Sequence, residues 1–210
     1  MKTVVQIALI ATAVILIYFL YTSVERPLDF EKAKKERYDA TIARLKDIRK
    51  AELAYKDVHG KFTGSFDTLI TFVKTGKIAL VRKIGMLNDS MIEAGWTEKQ
   101  ALKEGKIIRD TFLVSVLDTI FGKNYKIDEI KFVPVKDTVA QFHLGAGYVQ
   151  TGSGIKVPVF EARVHNNVIL RKLDRQQVIN LNESKRTNGK YPGLKVGSLE
   201  ETNNNAGNWE

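Results

Sequence analysis

The residues of this 210-residue chain that could bind a metal ion are concentrated near the end of its sequence. Two acidic residues, Glu200 and Glu201, are closely followed by Asn203 and two further asparagines. Calcium takes several oxygen ligands, from carboxylates, amide side chains and backbone carbonyls. We therefore expect Glu200, Glu201 and Asn203 to be the candidate calcium ligands. A solvated tail that holds no metal is the alternative interpretation.

The remaining polar residues do not form a catalytic motif. His59, His143 and His165 lie in three different predicted elements, and none has a partner at metal-ligand spacing. The chain contains no cysteine, which excludes thiolate ligands, disulfides and a cysteine nucleophile. No serine has the sequence context of a nucleophile elbow. We therefore expect no catalytic residues, no enzyme activity, and no cofactor other than the candidate calcium ion.

Nucleotides, nucleic acids and other small-molecule substrates are not expected as ligands. Gly145, Gly147, Gly152 and Gly154 are followed by strand-like sequence, whereas a phosphate-binding loop needs a helix to begin there. The net charge is +9, from 33 Lys and Arg against 24 Asp and Glu. Because the basic residues alternate with acidic ones, they indicate a solvated surface close to a membrane rather than a nucleic-acid site.

An apolar run at residues 4–24 predicts a membrane-spanning helix. Gln6 is its single strongly polar side chain, and about 20 apolar residues are enough to cross a bilayer. Tyr18 and Phe19 lie toward its far end, where aromatic rings favour the lipid headgroups. A cleavable signal peptide is the rival interpretation, but its apolar core covers only about 7–15 residues. We therefore expect an uncleaved anchor at residues 1–26.

The orientation of this anchor is open at the level of sequence. Lys2 precedes the apolar run, whereas several basic residues follow it, beginning with Arg26 and Lys32. The positive-inside rule would therefore keep the larger part of the chain in the cytoplasm. That orientation would suit a cytosol-facing adaptor.

The rest of the chain predicts an α+β fold. Apolar residues from Tyr38 to Val58 recur every three or four positions, so a stalk helix is expected at 27–60, ended by Gly60. Residues 61–210 are expected to form a globular head. Its predicted helices follow the caps Ser65 and Thr97. Its predicted strands are 111–117, 127–135, 140–149, 157–165 and 168–173, with a helix running to Phe121 as the alternative for the first. Residues 78–88 are ambiguous, and the tail from Asn182 predicts an ordered loop or a loose end.

Three short segments resemble type IV pilins and type II secretion pseudopilins. Segment 48–62, IRKAELAYKDVHGKF, is similar to the end of the long helix in that family. The segments 65–69, SFDTL, and 205–210, NAGNWE, are similar to parts of its major pseudopilin class. The chain departs from the family in three ways. It shows no leader-cleavage motif, it has Gln6 near the position of the family's glutamate, and Lys61–Phe62–Thr63 replaces an aromatic–proline pair.

The resemblance implies a pilin-like fold, in which a membrane helix continues into a stalk packed on a small antiparallel sheet. It implies a structural subunit of a secretion or filament assembly in the cell envelope, with the head in the periplasm and the anchor in the inner membrane. The expected partners are the lipid bilayer and other envelope proteins, including further copies of this chain. The alternative is a single-pass accessory protein whose head binds another envelope protein without polymerising.

Overall fold

The computed structural model describes residues 2–136 and 139–210 and has the expected α+β class. A long amino-terminal helix is combined with two small antiparallel sheets. In chain order the elements are α1 (Lys2–His59), α2 (Phe66–Thr75), β1 (Lys77–Ile84), α3 (Asp89–Glu93), α4 (Glu98–Lys103), β2 (Ile108–Ser115), α5 (Val116–Ile120), a 3-10 turn (Ile127–Glu129), β3 (His143–Gln150), β4 (Lys156–His165), α6 (Asn166–Ile169), α7 (Arg175–Thr187) and β5 (Gly193–Gly197).

The chain forms two compact units. The first unit comprises α1 as far as Arg49 together with Ile130–Glu210, and the second unit comprises Lys50–Glu129. The predicted boundary between anchor and stalk, at residues 26 and 27, lies inside α1, because the helix continues through Pro27. The predicted head, residues 61–210, is shared between the two units.

The first unit is built on the antiparallel sheet β3–β4–β5. Its inner face carries Phe160, Ala162 and Val164 of β4, and the register places Ala162 beside Val196. All of these side chains are buried, and so are Leu45 and Ile48 of α1, Ile169 and Leu170, and Leu194. The middle of the apolar stripe of α1 is therefore buried, as the helical spacing predicted, whereas its last residue, Val58, is 48 % exposed.

The second unit is built around α2. Ser65 caps this helix by accepting the Thr68 N–H, and its buried side chains are Leu69, Ile70, Phe72 and Val73. The helix ends at Thr75 and leads directly into β1, which pairs with β2 to form a separate two-stranded ribbon. The connection between the two strands contains α4, whose Thr97–Gln100 capping box was predicted from the sequence.

Several predicted strands were wrong. Residues 127–135 form the 3-10 turn and an irregular segment with one bridge at Phe132. Residues 168–173 belong to α6 and the turn after it, because Asn166 begins a short helix there. The tail from Asn182 is neither a loop throughout nor a loose end, since it starts within α7 and later forms β5. The predicted strands 140–149 and 157–165 correspond to β3 and β4.

Candidate functional site

The first half of α1 exposes an apolar surface on all sides. Among residues 4–20, the exposed fraction of the large apolar side chains that the structure describes ranges from 54 % at Ile15 to 69 % at Val4. Among the described residues, this is the one helix long and apolar enough to cross a membrane. Exposed apolar side chains in such a continuous run are unfavourable in water and favourable in a bilayer. This part of α1 is the candidate membrane anchor.

The second half of α1 is held in the first unit by polar contacts as well as by its buried stripe. The Arg37 guanidinium donates to the backbone carbonyls of Ile169, at 3.1 Å, and Arg171, at 2.7 Å. The Tyr38 hydroxyl donates to the Asn166 side-chain carbonyl at 2.5 Å, and burial raises the pKa of Tyr38 to about 12. These contacts cap the end of α6 and fix α1 to it.

Asn166 extends this network away from α1. Its side-chain amide donates to Asn182 of α7 at 2.9 Å, and Asn182 donates in turn to Asn167 at 2.8 Å. Because Asn166 and Asn182 are both buried, their amide groups need these partners. Sequence reasoning missed this network, because Tyr38 and Asn166 are 128 positions apart and no local pattern links them.

The candidate calcium residues lie in one loop after β5. The backbone N–H groups of Glu200 and Glu201 both donate to the Ser198 hydroxyl, at 3.2 and 3.4 Å, while both side chains are exposed. The Asn203 amide donates to the Ala206 carbonyl at 3.4 Å. Residues 2–136 and 139–210 contain no group of three or more acidic or histidine side chains that could hold a metal. Calcium binding here remains a prediction.

The segment after this loop is ordered against β5. Asn208 exchanges two hydrogen bonds with the Lys195 backbone, at 3.0 and 3.1 Å, and donates a third to the Gly193 carbonyl. Glu210 forms an ion pair with Arg49 of α1 at 2.7 Å. The end of the tail is thus attached both to the sheet and to α1. The aromatic ring of Trp209 lies over Gly207, where a Cβ atom would collide with it.

The three histidines are not brought together as a site. His59 stacks on Tyr55 at the end of α1, with ring centroids 4.2 Å apart. His143 opens β3, and His165 caps α6 by accepting the Asn167 N–H at 3.1 Å. His59 and His165 thus have structural contacts of their own.

Glu52 of α1 is a buried acid that the sequence did not reveal. One carboxyl oxygen accepts the Thr63 N–H at 3.0 Å, and the other has no hydrogen-bond partner among the described residues. Burial raises the pKa of Glu52 to about 8, although the Thr63 N–H acts in the opposite direction. The group is therefore protonated at neutral pH. Burial alone therefore accounts for its protonation, and this proton links Glu52 to the stability of the fold.

The ribbon of β1 and β2 exposes several apolar side chains. Leu80 and Phe112, which are directly opposed, are 38 % and 39 % exposed, and Ile84 and Ile108 are 45 % and 53 % exposed. These two pairs lie on one face of the ribbon, on either side of the Arg82–Asp110 pair. Exposed apolar surface on a folded domain is typical of an interaction surface. The ribbon is the candidate protein-binding surface of the second unit.

Comparison with known proteins did not identify a relative. No family model matches the chain. A search of curated proteins gave no significant match. No solved structure matches it either. The features that bear on function are therefore the helix, the tail and the ribbon themselves.

Proposed function

We propose that this protein is a membrane-anchored, pilin-like structural subunit of a secretion or filament assembly in the cell envelope. The observation that carries the proposal is the division of α1 into two halves. The first half exposes apolar side chains on all sides, and the second half is built into the first unit through Leu45, Ile48 and the Tyr38–Asn166 hydrogen bond. One continuous helix thus links a membrane anchor to a folded domain.

The positions of the pilin-like segments support this proposal. The segment ending at His59 and Gly60 forms the end of the long helix, and Gly60 has the left-handed φ of 71° that terminates a helix. The Asn208–Trp209 segment pairs along the edge of a small antiparallel sheet. A long helix combined with a small antiparallel sheet is what the resemblance implies.

The proposed location of the folded units is the periplasm, with the anchor in the inner membrane. The pilin-like plan favours this topology, whereas the basic residues after the apolar run favour the cytoplasm. Protease added to spheroplasts is expected to digest the folded units. Protection until the membrane is dissolved would contradict this topology and favour the cytosol-facing adaptor.

Electron microscopy of the full chain, purified in a mild detergent, tests the proposal directly. Filaments or oligomers of defined size are expected.

Because the chain has no cysteine, Ile10→Cys gives a single reactive thiol in the exposed apolar half of α1. Oxidation should cross-link copies in membranes, and the yield should persist when the membrane is diluted with lipid. A yield that falls in proportion to dilution would indicate random collision and contradict assembly through the anchor.

The second candidate is an accessory protein that does not polymerise. Gln6 favours it, because an uncharged amide cannot neutralise the amino terminus of a neighbouring subunit as a carboxylate can. Particles that are uniformly monomeric in the microscope, combined with periplasmic folded units, would favour this function.

A further inference from the structure

The register of the β1–β2 ribbon assigns each of its side chains to one of two faces. Eight residues of β1 pair with eight residues of β2 without a bulge. Directly opposed residues of antiparallel strands point to the same face, and successive residues alternate between faces. One of the two, the apolar face, carries the pairs Ile78–Val114, Leu80–Phe112, Arg82–Asp110 and Ile84–Ile108.

The apolar face is open to solvent at its centre and far end. Leu80, Phe112, Ile84 and Ile108 are all between 38 % and 53 % exposed. An isolated two-stranded ribbon is at best marginally stable in water and normally needs packing on one face. The far end of the opposite face is already in contact with α4, because Glu98 pairs with Lys83 at 2.9 Å and with Arg109 at 2.7 Å. The opposite face also exposes Val81 and Leu113, which are 55 % and 66 % exposed. The two faces differ in their charges, because the opposite face carries the cations Lys83 and Arg109, whereas the apolar face carries one cation and one anion.

The charges on the apolar face indicate which partner would fit. Arg82 and Asp110 are direct cross-strand neighbours in the middle of the face. In the part of the chain that the structure describes, neither forms an ion pair. A cation and an anion at the same height on two neighbouring strands are self-complementary under one symmetry operation, namely a two-fold rotation about an axis parallel to the strands.

We propose that the apolar face binds the same face of a second copy of this chain. Under that rotation β1 of one copy lies over β2 of the other, so Arg82 faces Asp110 of the second copy, and the contact occurs twice. Leu80 likewise faces Phe112. A two-fold axis across the strands would instead set Arg82 against Arg82, and like charges in direct contact oppose association. The charge pattern thus selects the axis parallel to the strands.

The size of the face predicts a weak contact. Eight residues of strand extend over about 26 Å, and two strands are about 10 Å wide, so the buried area falls below the 1,200–2,000 Å² or so of a standard stable interface. Confinement of both copies in one membrane would raise their effective concentration and strengthen the contact. That reinforcement rests on the proposed membrane anchoring, whereas the pairing of the faces does not.

Two charge reversals test the pairing in the full chain, with the mass of the particle in detergent measured by sedimentation over a range of concentrations. Arg82→Glu sets two carboxylates against each other between copies, and Asp110→Arg sets two cations against each other. Each variant alone should weaken self-association at least tenfold. An equimolar mixture should restore it, because the new carboxylate of one variant then faces the new guanidinium of the other. The unchanged Arg82 and the unchanged Asp110 of the two chains also face each other in the mixture.

The mixture separates pairing between chains from stability within a chain. Within each variant chain, residues 82 and 110 still carry like charges when the two variants are mixed. If the substitutions had only unfolded the ribbon, mixing would therefore not restore self-association. Val81→Glu and Thr111→Arg place the same charges on the opposite face and should leave association unchanged. A mixture that stays monomeric would overturn the proposal. Self-association that ignores every charge reversal would also overturn it, while remaining consistent with contacts through the anchor.

Discussion

In the first unit, the sheet β3–β4–β5 places Phe160, Ala162 and Val196 on one face, and all three are fully buried. In the second unit, the ribbon β1–β2 also carries an apolar face, yet Leu80 and Phe112 on that face remain exposed. Both sheets are antiparallel and both are rich in apolar residues. They differ because the first has α1 and α6 in its own unit to supply buried neighbours, whereas the described part of the second unit leaves this face of its two strands open.

The buried acids of the two units show the same contrast. Glu161, in the first unit, is almost fully buried and has Arg163 at 3.2 Å and Lys195 at 3.3 Å. Glu52, in the second unit, is fully buried and accepts one backbone N–H. A buried charge is tolerated when it is paired, whereas an unpaired acid remains neutral instead. The buried acid of the first unit therefore has two cationic partners, whereas the buried acid of the second unit accepts one backbone N–H.

The two tryptophans allow the units to be followed separately. Trp209 belongs to the first unit and Trp96 to the second. The variant Trp96→Phe leaves fluorescence from the first unit, and Trp209→Phe leaves fluorescence from the second. The full chain in detergent micelles, carrying one of these two substitutions, therefore reports on one unit at a time.

The largest expected effect is the pH dependence caused by Glu52. Because the pKa of Glu52 is about 8 in the folded chain and 4.5 in its ordinary state, the native protein binds the proton more tightly than the unfolded chain does. The stability that Glu52 contributes should be greatest below about pH 4.5 and should be lost as the pH rises toward 8 and beyond. The total loss is on the order of 5 kcal/mol.

Urea unfolding at several pH values, followed through Trp96, measures this dependence. In Glu52→Gln the amide cannot titrate, so the fall in stability across this pH window should be absent. A wild-type chain whose second unit has equal stability at pH 5 and pH 8 would show that Glu52 is not buried as the structure indicates.

A matched pair of phenylalanines measures the difference between the sheets. Phe160→Ala should destabilise the first unit by about 3–5 kcal/mol, because it removes a fully buried ring and leaves a cavity. Phe112→Ala should change the free energy of unfolding of the second unit by less than about 1 kcal/mol in dilute solution, since its ring is partly in water already. Equal costs at the two positions would mean that Phe112 is covered, and the contrast between the sheets would disappear.

Calcium would widen the contrast by stabilising the first unit alone. If Glu200, Glu201 and Asn203 bind the ion in the native state only, a concentration a hundredfold above the dissociation constant adds about 2.7 kcal/mol. The thermal transition reported by Trp209 should then rise, and that reported by Trp96 should not. The double variant with Glu200→Gln and Glu201→Gln serves as the control. Identical transitions in calcium and in chelator would remove the calcium site.

The smallest effect expected in the first unit comes from a helix cap. Asp174 accepts the Gln177 N–H at 3.0 Å at the start of α7. Asp174→Ala should cost the first unit about 1 kcal/mol, because one backbone donor loses its partner. The corresponding change in the second unit, Thr97→Ala, removes half of the capping box of α4 and should be visible through Trp96. If Asp174→Ala altered the Trp96 signal as much as the Trp209 signal, the two units would not be independent.

Local signals in the sequence were sufficient wherever an element depends on its own residues. Ser65 and Gly76 delimit α2, Thr97 and Gln100 define the start of α4, and strand composition marks β3 and β4. The long helix followed from its apolar run and its later stripe. Pro27 did not divide it, because a proline removes only one backbone donor, and the helix continues on both sides.

The sequence was insufficient where an element depends on distant partners. The apolar residues after Asn166 suit a strand or a helix equally well, and the helix is favoured because Asn166 bonds to Tyr38 and Asn182. Helix α7 has only Val178 and Asn182 buried, so it lacks an apolar stripe that could be recognised. Strand β5 is short, and two of its five residues are glycines.

By itself, the sequence determined that the chain contains an apolar helix of membrane-spanning length and no recognisable catalytic motif. Tertiary structure alone decided which polar groups are buried and which apolar groups are exposed. Glu52 lies on the same helix as many solvated acids, and Phe112 lies in a strand as apolar as β4, so composition does not separate them. Burial depends on which segments, distant in sequence, pack against each residue. Only the folded chain therefore revealed an acid that holds its proton and a ribbon whose Leu80 and Phe112 stay partly exposed.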